Sequence, residues 1–131
     1  MSNIQDRRIH PEISLRLLTR FYGLVTNSVF LLIICLALTN EDRPQGPAIT
    51  VLALLGLTMV SSFIAWRWEK VGGALVIAGA LGTGVAAYSA SLEFGLGSQS
   101  FLPGLIYSIP FLVMGILFWL CGYRAPAGSA E

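Results

Sequence analysis

VGGALVIAGALGTGVAAYSASL, residues Val71–Leu92, contains no acidic or basic side chain and no histidine. An α-helix rising ~1.5 Å per residue needs about 20 such residues to cross a ~30 Å hydrocarbon core. Three further runs of the same kind flank it, Phe21–Thr39, Ile49–Trp66 and Pro103–Tyr123, and every Asp, Glu, Lys, Arg and His lies outside the four. A helix in a soluble core would keep one polar face, and none of these runs has one. The expected fold is all-α: a four-transmembrane-helix bundle threaded up-down-up-down, with both termini on the same side.

Composition agrees. Hydrophobic residues make up 55% of the chain and charged residues 11%, against about 25% charged in an ordinary soluble domain. The expected division is a cytoplasmic tail and interfacial lead-in helix at 1–20, a transmembrane domain at 21–123 with spans 21–39, 49–66, 71–92 and 103–123, and a cytoplasmic tail at 124–131. With these lengths no second, water-soluble domain is expected. The net charge of +1 and the absence of a basic patch argue against nucleic acid as a partner.

Basic residues orient the chain. Arg7, Arg8, Arg16, Arg20, Arg67, Lys70 and Arg124 fall on one side of a four-span protein, and Arg43 alone on the other. Seven against one places both termini in the cytoplasm, since the positive side stays inside. A cleaved export signal is the competing reading of the first run. The stretch Tyr22–Leu38 is longer than the ~7–15 residues of a signal core, so the run is expected to remain as a span.

The connections are short. Residues 1–10 are polar and expected to be irregular, and Pro11 suits the first turn of a lead-in helix in which Glu12, Arg16 and Arg20 succeed one another by one turn. Arg16 and Arg20 are placed to meet anionic headgroups. The first loop, Asn40–Pro47, holds Pro44 and Pro47, which end one helix and force a turn. Its acids Glu41 and Asp42 lack a third ligand and read as solvated charge. Arg67-Trp68-Glu69-Lys70 makes spans two and three an antiparallel hairpin, with Trp66 and Trp68 at headgroup depth and Arg67 and Lys70 expected to pair with lipid phosphates or with Glu69.

Within span three, Ala74, Ala78, Gly82, Ala86 and Ala90 recur at every fourth position, with Gly79 beside them. Small residues let helix backbones approach in lipid. The spacing therefore predicts a buried ridge and a central place for span three, packed against span two and one more helix. Pro110 falls inside span four, where it removes a backbone hydrogen bond and predicts a kink near Ile106, with Ser108 or a neighbouring helix satisfying the freed carbonyl. Asn27 is the costliest polar side chain in any span and is expected to bond across helices to Ser28, Thr58, Ser61 or Ser62.

Reactive groups are sparse. Cys35 falls near the outer end of span one and Cys121 near the inner end of span four, at opposite depths and too far apart for a disulfide. His10 is the only histidine, and no His/Cys/carboxylate set has metal-ligand spacing. Glu69 and Glu93, the acids next to spans two to four, stand at opposite faces of the membrane and cannot act together. No catalytic, cofactor-binding or metal-binding residue is expected, and the chain is not expected to be an enzyme or to carry a cofactor.

Two stretches carry a resemblance. Ile64-Ala65-Trp66-Arg67-Trp68-Glu69-Lys70-Val71-Gly72-Gly73, followed by Ile109-Pro110-Phe111-Leu112-Val113-Met114-Gly115-Ile116-Leu117-Phe118, resembles a family of small four-span prokaryotic membrane proteins of uncharacterised function. The likeness covers spans two to four. It implies the four-helix topology and a prokaryotic cell (inner) membrane, and it supplies no activity. Trp68, Glu69, Gly72, Gly73, Pro110 and Gly115 enter as motif positions only.

The expected role is that of an integral membrane protein acting through helix–helix contacts, as an accessory subunit or a self-associating bundle. Its expected partners are the lipid bilayer and either a second copy or another membrane protein. The alternative is a small oligomeric transporter or channel, against which stand the thin polar lining of span three and the absence of ionisable groups within the spans.

Overall fold

The computed structural model describes the backbone of residues 3–40 and 44–124 and the side chains of residues 14–40 and 44–124. Glu41, Asp42 and Arg43 of the first loop, the side chains of residues 1–13 and the C-terminal residues 125–131 lie outside the described residues. Four α-helices follow in order: α1 (Asn3–Thr39), α2 (Pro47–Arg67), α3 (Glu69–Glu93) and α4 (Phe101–Arg124), with a 3₁₀ turn at Gly97–Gln99 before the last. Each helix contains one of the four apolar runs, and all four are long and apolar enough to span a membrane. The chain is an all-α, multi-pass membrane protein.

The helix boundaries follow local chemistry. α1 differs most from expectation: it starts at Asn3 and runs unbroken through the segment expected to be irregular. Gln5, Arg7 and Arg8 are good helix formers, and the backbone continues helical past Pro11. Within its described residues, Ser14–Thr39 is the stretch long and apolar enough to span a membrane. Gly46, at a φ of 58°, turns the chain into α2, and Pro47 occupies the first turn, where its missing N–H is not needed. A single residue, Trp68, joins α2 to α3. Its N–H donates to Ile64 O at 2.8 Å and its carbonyl accepts from Gly72 N at 2.8 Å, so the reversal leaves neither group bare.

Helix α3 lies between α2 and α4, the central position that its small residues predict, but the contact faces are not the expected ridge. Toward α2, a side-chain carbon on Gly72 would overlap Ala65, and one on Gly79 would stand 2.5 Å from Thr58 Oγ1. Toward α4, a carbon on Gly73 would stand 2.8 Å from the Trp119 nitrogen, and one on Gly84 3.0 Å from Ser108 Cβ. Helix α4 answers with Gly104, 2.9 Å by the same measure from Gly84 O, and with Gly115, 3.1 Å from Gly73 O. Ala74 and Ala78 instead face outward, and Gly82 has nothing within 4 Å. The reason is helical drift: steps of four residues advance about 40° beyond a full turn, so the ridge spirals from the exposed Ala74 to the buried Ala90. Spacings of seven (Gly72, Gly79) and eleven (Gly73, Gly84) drift by only about 20° and keep to one face.

The core is a file of large side chains that the glycines bring together: Phe30, Leu55, Met59, Val76, Phe111, Met114 and Phe118. Phe30 of α1 stacks at a tilt on Phe111, ring centres 4.8 Å apart. Outside the core the bundle is apolar all round, with Leu32, Leu36, Val60, Val85 and Ile106 exposed. Such a continuous apolar surface belongs against lipid. Helix α1 is the least embedded: 22% of its span is buried, against 33% in α2 and α3 and 39% in α4. It rests on α4 and α2. Near Pro110, Tyr22 Oη donates to the Pro110 carbonyl at 3.3 Å. That carbonyl is the proline's own and not the Ile106 carbonyl that its missing N–H frees, and Ser108 is buried against Gly84.

Candidate functional site

Most hydroxyls in the spans are satisfied by their own helix. Thr19 donates to Leu15 O, Ser61 to Leu57 O, Thr83 to Gly79 O and Ser91 to Ala87 O, all at 2.7 to 2.9 Å. Thr58 and Thr83 come within 3.4 Å of each other across the α2–α3 contact. Both protons are already committed to carbonyls four residues back. This is a close approach that Gly79 permits, with no hydroxyl proton left to bridge it.

The seam between α1 and α2 is different. Asn27 is 6% exposed and its Nδ2 donates to Ser62 Oγ at 2.7 Å. Ser62 spends its own proton on Met59 O at 2.6 Å, so its oxygen can only accept. That fixes the amide: flipping it would face Oδ1 to an acceptor. Oδ1 is left buried without a partner, and so is Trp66 Nε1. Trp66 stands one turn beyond Ser62 on the same side of α2. Ala65, which takes the Gly72 contact with α3, is about 100° away around the helix. Among the described residues these are the only two buried side-chain polar atoms without a bond, an acceptor on α1 and a donor one turn along α2 from Ser62.

A second cluster gathers at one end of the bundle. Arg16 Nη2 of α1 pairs with Glu69 Oε2 of α3 at 3.6 Å. Lys70 Nζ lies 5.2 Å from the centre of the Tyr123 ring, which takes the edge of Trp119 at 5.2 Å. Gly122 makes room for the Lys70 stem. Glu69 therefore pairs with a residue of α1, where the sequence suggested its neighbours Arg67 or Lys70. Thr19 Oγ1 and Cys121 Sγ, 3.6 Å apart, bring the start of the α1 span to the end of α4 at the same level.

Of the residues weighed from sequence, Asn27 and Ser62 meet as one of the anticipated pairs. Glu69 and Glu93 stand at the two ends of α3, about 36 Å apart, and share no site. Cys35 and Cys121 are both free, the first exposed and the second buried. Among the described residues no group of His, Cys, Asp and Glu could hold a metal ion. Sequence reasoning missed the Trp66 donor and the Arg16–Glu69 pair. An indole nitrogen gives no signal until its surroundings are known, and Arg16 and Glu69 are brought together only by the packing of α1.

Residues 5–127 match a family described as a domain of unknown function (DUF7670). No protein of curated function and no solved structure matches the chain.

Proposed function

We propose that this chain, which belongs to that family of unknown function, acts without catalysis, through helix–helix contacts in the plane of a prokaryotic cell membrane, as a self-associating or accessory bundle. One observation carries the reading: Ala74, Ala78 and Gly82 form an outward face of α3 that its own bundle leaves uncovered. Small residues on an exposed helix face let a second backbone come close, which is where helices gain in lipid. The basic end of the bundle, with Arg16, Arg20, Arg67, Lys70 and Arg124, faces the cytoplasm in this reading.

The test is oxidative cross-linking in native membranes. Ala78→Cys is expected to form a dimer through the new thiol in a Cys35→Ser, Cys121→Ser background, while Leu32→Cys on α1 stays monomeric. Gly82→Leu in the Ala78→Cys chain should abolish the cross-link and leave the bundle folded. A chain that stays monomeric, copurifies with no other membrane protein and conducts ions in liposomes would overturn this reading in favour of a small channel.

A further inference from the structure

We infer that the α1–α2 seam is a binding site for a hydroxyl-bearing occupant, which donates a hydrogen bond to Asn27 Oδ1 and accepts one from Trp66 Nε1. Both atoms are buried and unpartnered; Asn27 stands on α1, and Trp66 stands on α2 one helical turn beyond Ser62, the residue Asn27 bonds. Each unmade bond in a low-dielectric interior costs about 1–3 kcal/mol, so the closed seam favours whatever makes both bonds. A lone donor calls for an acceptor and a lone acceptor for a donor. The hydroxyl group supplies both, whether it comes from water or from the headgroup of a neutral lipid. A charged occupant does not fit, because no ionisable side chain of the α1 or α2 spans enters the seam and an unpaired charge in the membrane is expensive.

Neither atom is open to solvent as the seam stands, so entry requires α1 to move off α2. The structure favours that movement. Helix α1 is the least buried span, at 22%. Across the seam, its one side-chain hydrogen bond to α2 among the described residues is Asn27 to Ser62. Helices α2, α3 and α4 are locked by glycine contacts that leave no such play. Asn27 Nδ2 also keeps a second proton, so the bond to Ser62 survives when an occupant is bound.

The test reads the Trp66 indole proton by nuclear magnetic resonance in ¹⁵N-tryptophan protein, assigned with Trp66→Phe. In dodecylphosphocholine micelles, which carry no hydroxyl, a cross-peak between the Trp66 N–H and long-lived water identifies water as the occupant. A downfield shift on adding monoolein, and none on adding methyl oleate, identifies a hydroxyl-bearing lipid. Either result supports the site, and either should vanish in Asn27→Leu. An indole proton that shows no water contact and ignores monoolein overturns the proposal, as does a signal that persists in folded Asn27→Leu. The wild-type arms decide the matter even if Asn27→Leu fails to assemble. None of these readings depends on self-association through α3.

Discussion

Gly72 lies against Ala65 so closely that no side-chain carbon fits between them, and this contact closes the one-residue reversal at Trp68. The two helices of the hairpin touch backbone to backbone one turn from where they join. Gly72→Ala must therefore push α3 off α2 at its root. Overpacking of this kind typically costs about 1–3 kcal/mol, and here the obstacle is backbone, which yields less than a side chain. Gly82→Ala is the control: with open space around it, the change is expected to be neutral or to stabilise by about 0.4–1 kcal/mol. Thermal unfolding of both variants in one detergent checks the contrast. Equal melting temperatures would remove the claim that the hairpin root is close-packed.

Gly115 holds the corresponding place on α4. A carbon added there would stand 2.7 Å from Ile77 Cγ1 and 3.1 Å from Gly73 O. Gly115→Ala is expected to cost about 1–3 kcal/mol, and Gly56→Ala, at a glycine with nothing within 4 Å, to cost nothing. Gly73→Leu should be worse than either and show as loss of expression or a broadened size-exclusion profile, because it meets Trp119 backbone at 2.8 Å.

The Asn27–Ser62 bond invites a double-mutant cycle. Interhelical hydrogen bonds in membranes average about 0.6 kcal/mol and reach about 1.7. Ser62→Ala strands the Asn27 amide and should destabilise the bundle by that order. Asn27→Leu removes the Oδ1 carbonyl along with the bond, so with the seam empty it is expected to cost less than Ser62→Ala, and with the proposed hydroxyl bound to Oδ1 it is expected to cost more.

Arg16 and Glu69 are partly exposed, with side chains 44% and 18% accessible. An ion pair of this kind contributes only about 0–1 kcal/mol and is screened by salt. Glu69→Gln is expected to insert, fold and assemble like the parent, with a melting temperature that loses its small dependence on ionic strength. Loss of a cellular phenotype in a folded Glu69→Gln protein would make Glu69 a functional residue and end the purely architectural reading of the hairpin.

Sidedness is tested by labelling single cysteines in a Cys35→Ser, Cys121→Ser background with an impermeant maleimide. Gln45→Cys and Ser98→Cys should react from outside intact cells, and Trp68→Cys only after the membrane is opened. The reverse pattern would put the basic end outside.

What could be read from the sequence was whatever depends on length and hydropathy: four spans, tight connections and a central α3. The Asn27 bond was legible because a lone amide among apolar residues must find a partner, and only a few hydroxyls were within reach. The small-residue ridge misled because Ala74, Ala78 and Gly82 look aligned when counted in fours, while the helix counts in 3.6. Which glycines matter depends on which neighbour each one meets. Gly72 and Gly82 are alike in sequence, and only the position of Ala65 separates them. The orphaned Trp66 nitrogen lay beyond reach for the same reason, since burial of one atom is a property of the whole packing.

The distance along the chain between Asn27 and Ser62, 35 residues, also has a meaning in time. At about 5–20 residues per second of synthesis, Asn27 precedes its partner into the membrane by about 2–7 s. The bonded threonines and serines carry their acceptors with them, three or four residues back on the same helix, and can wait in lipid at little cost. Asn27 cannot. For those seconds α1 is the span with most to gain from remaining beside the insertion machinery. Of the four helices, the first to be made is therefore expected to be among the last to be fixed, once Ser62 has followed it in.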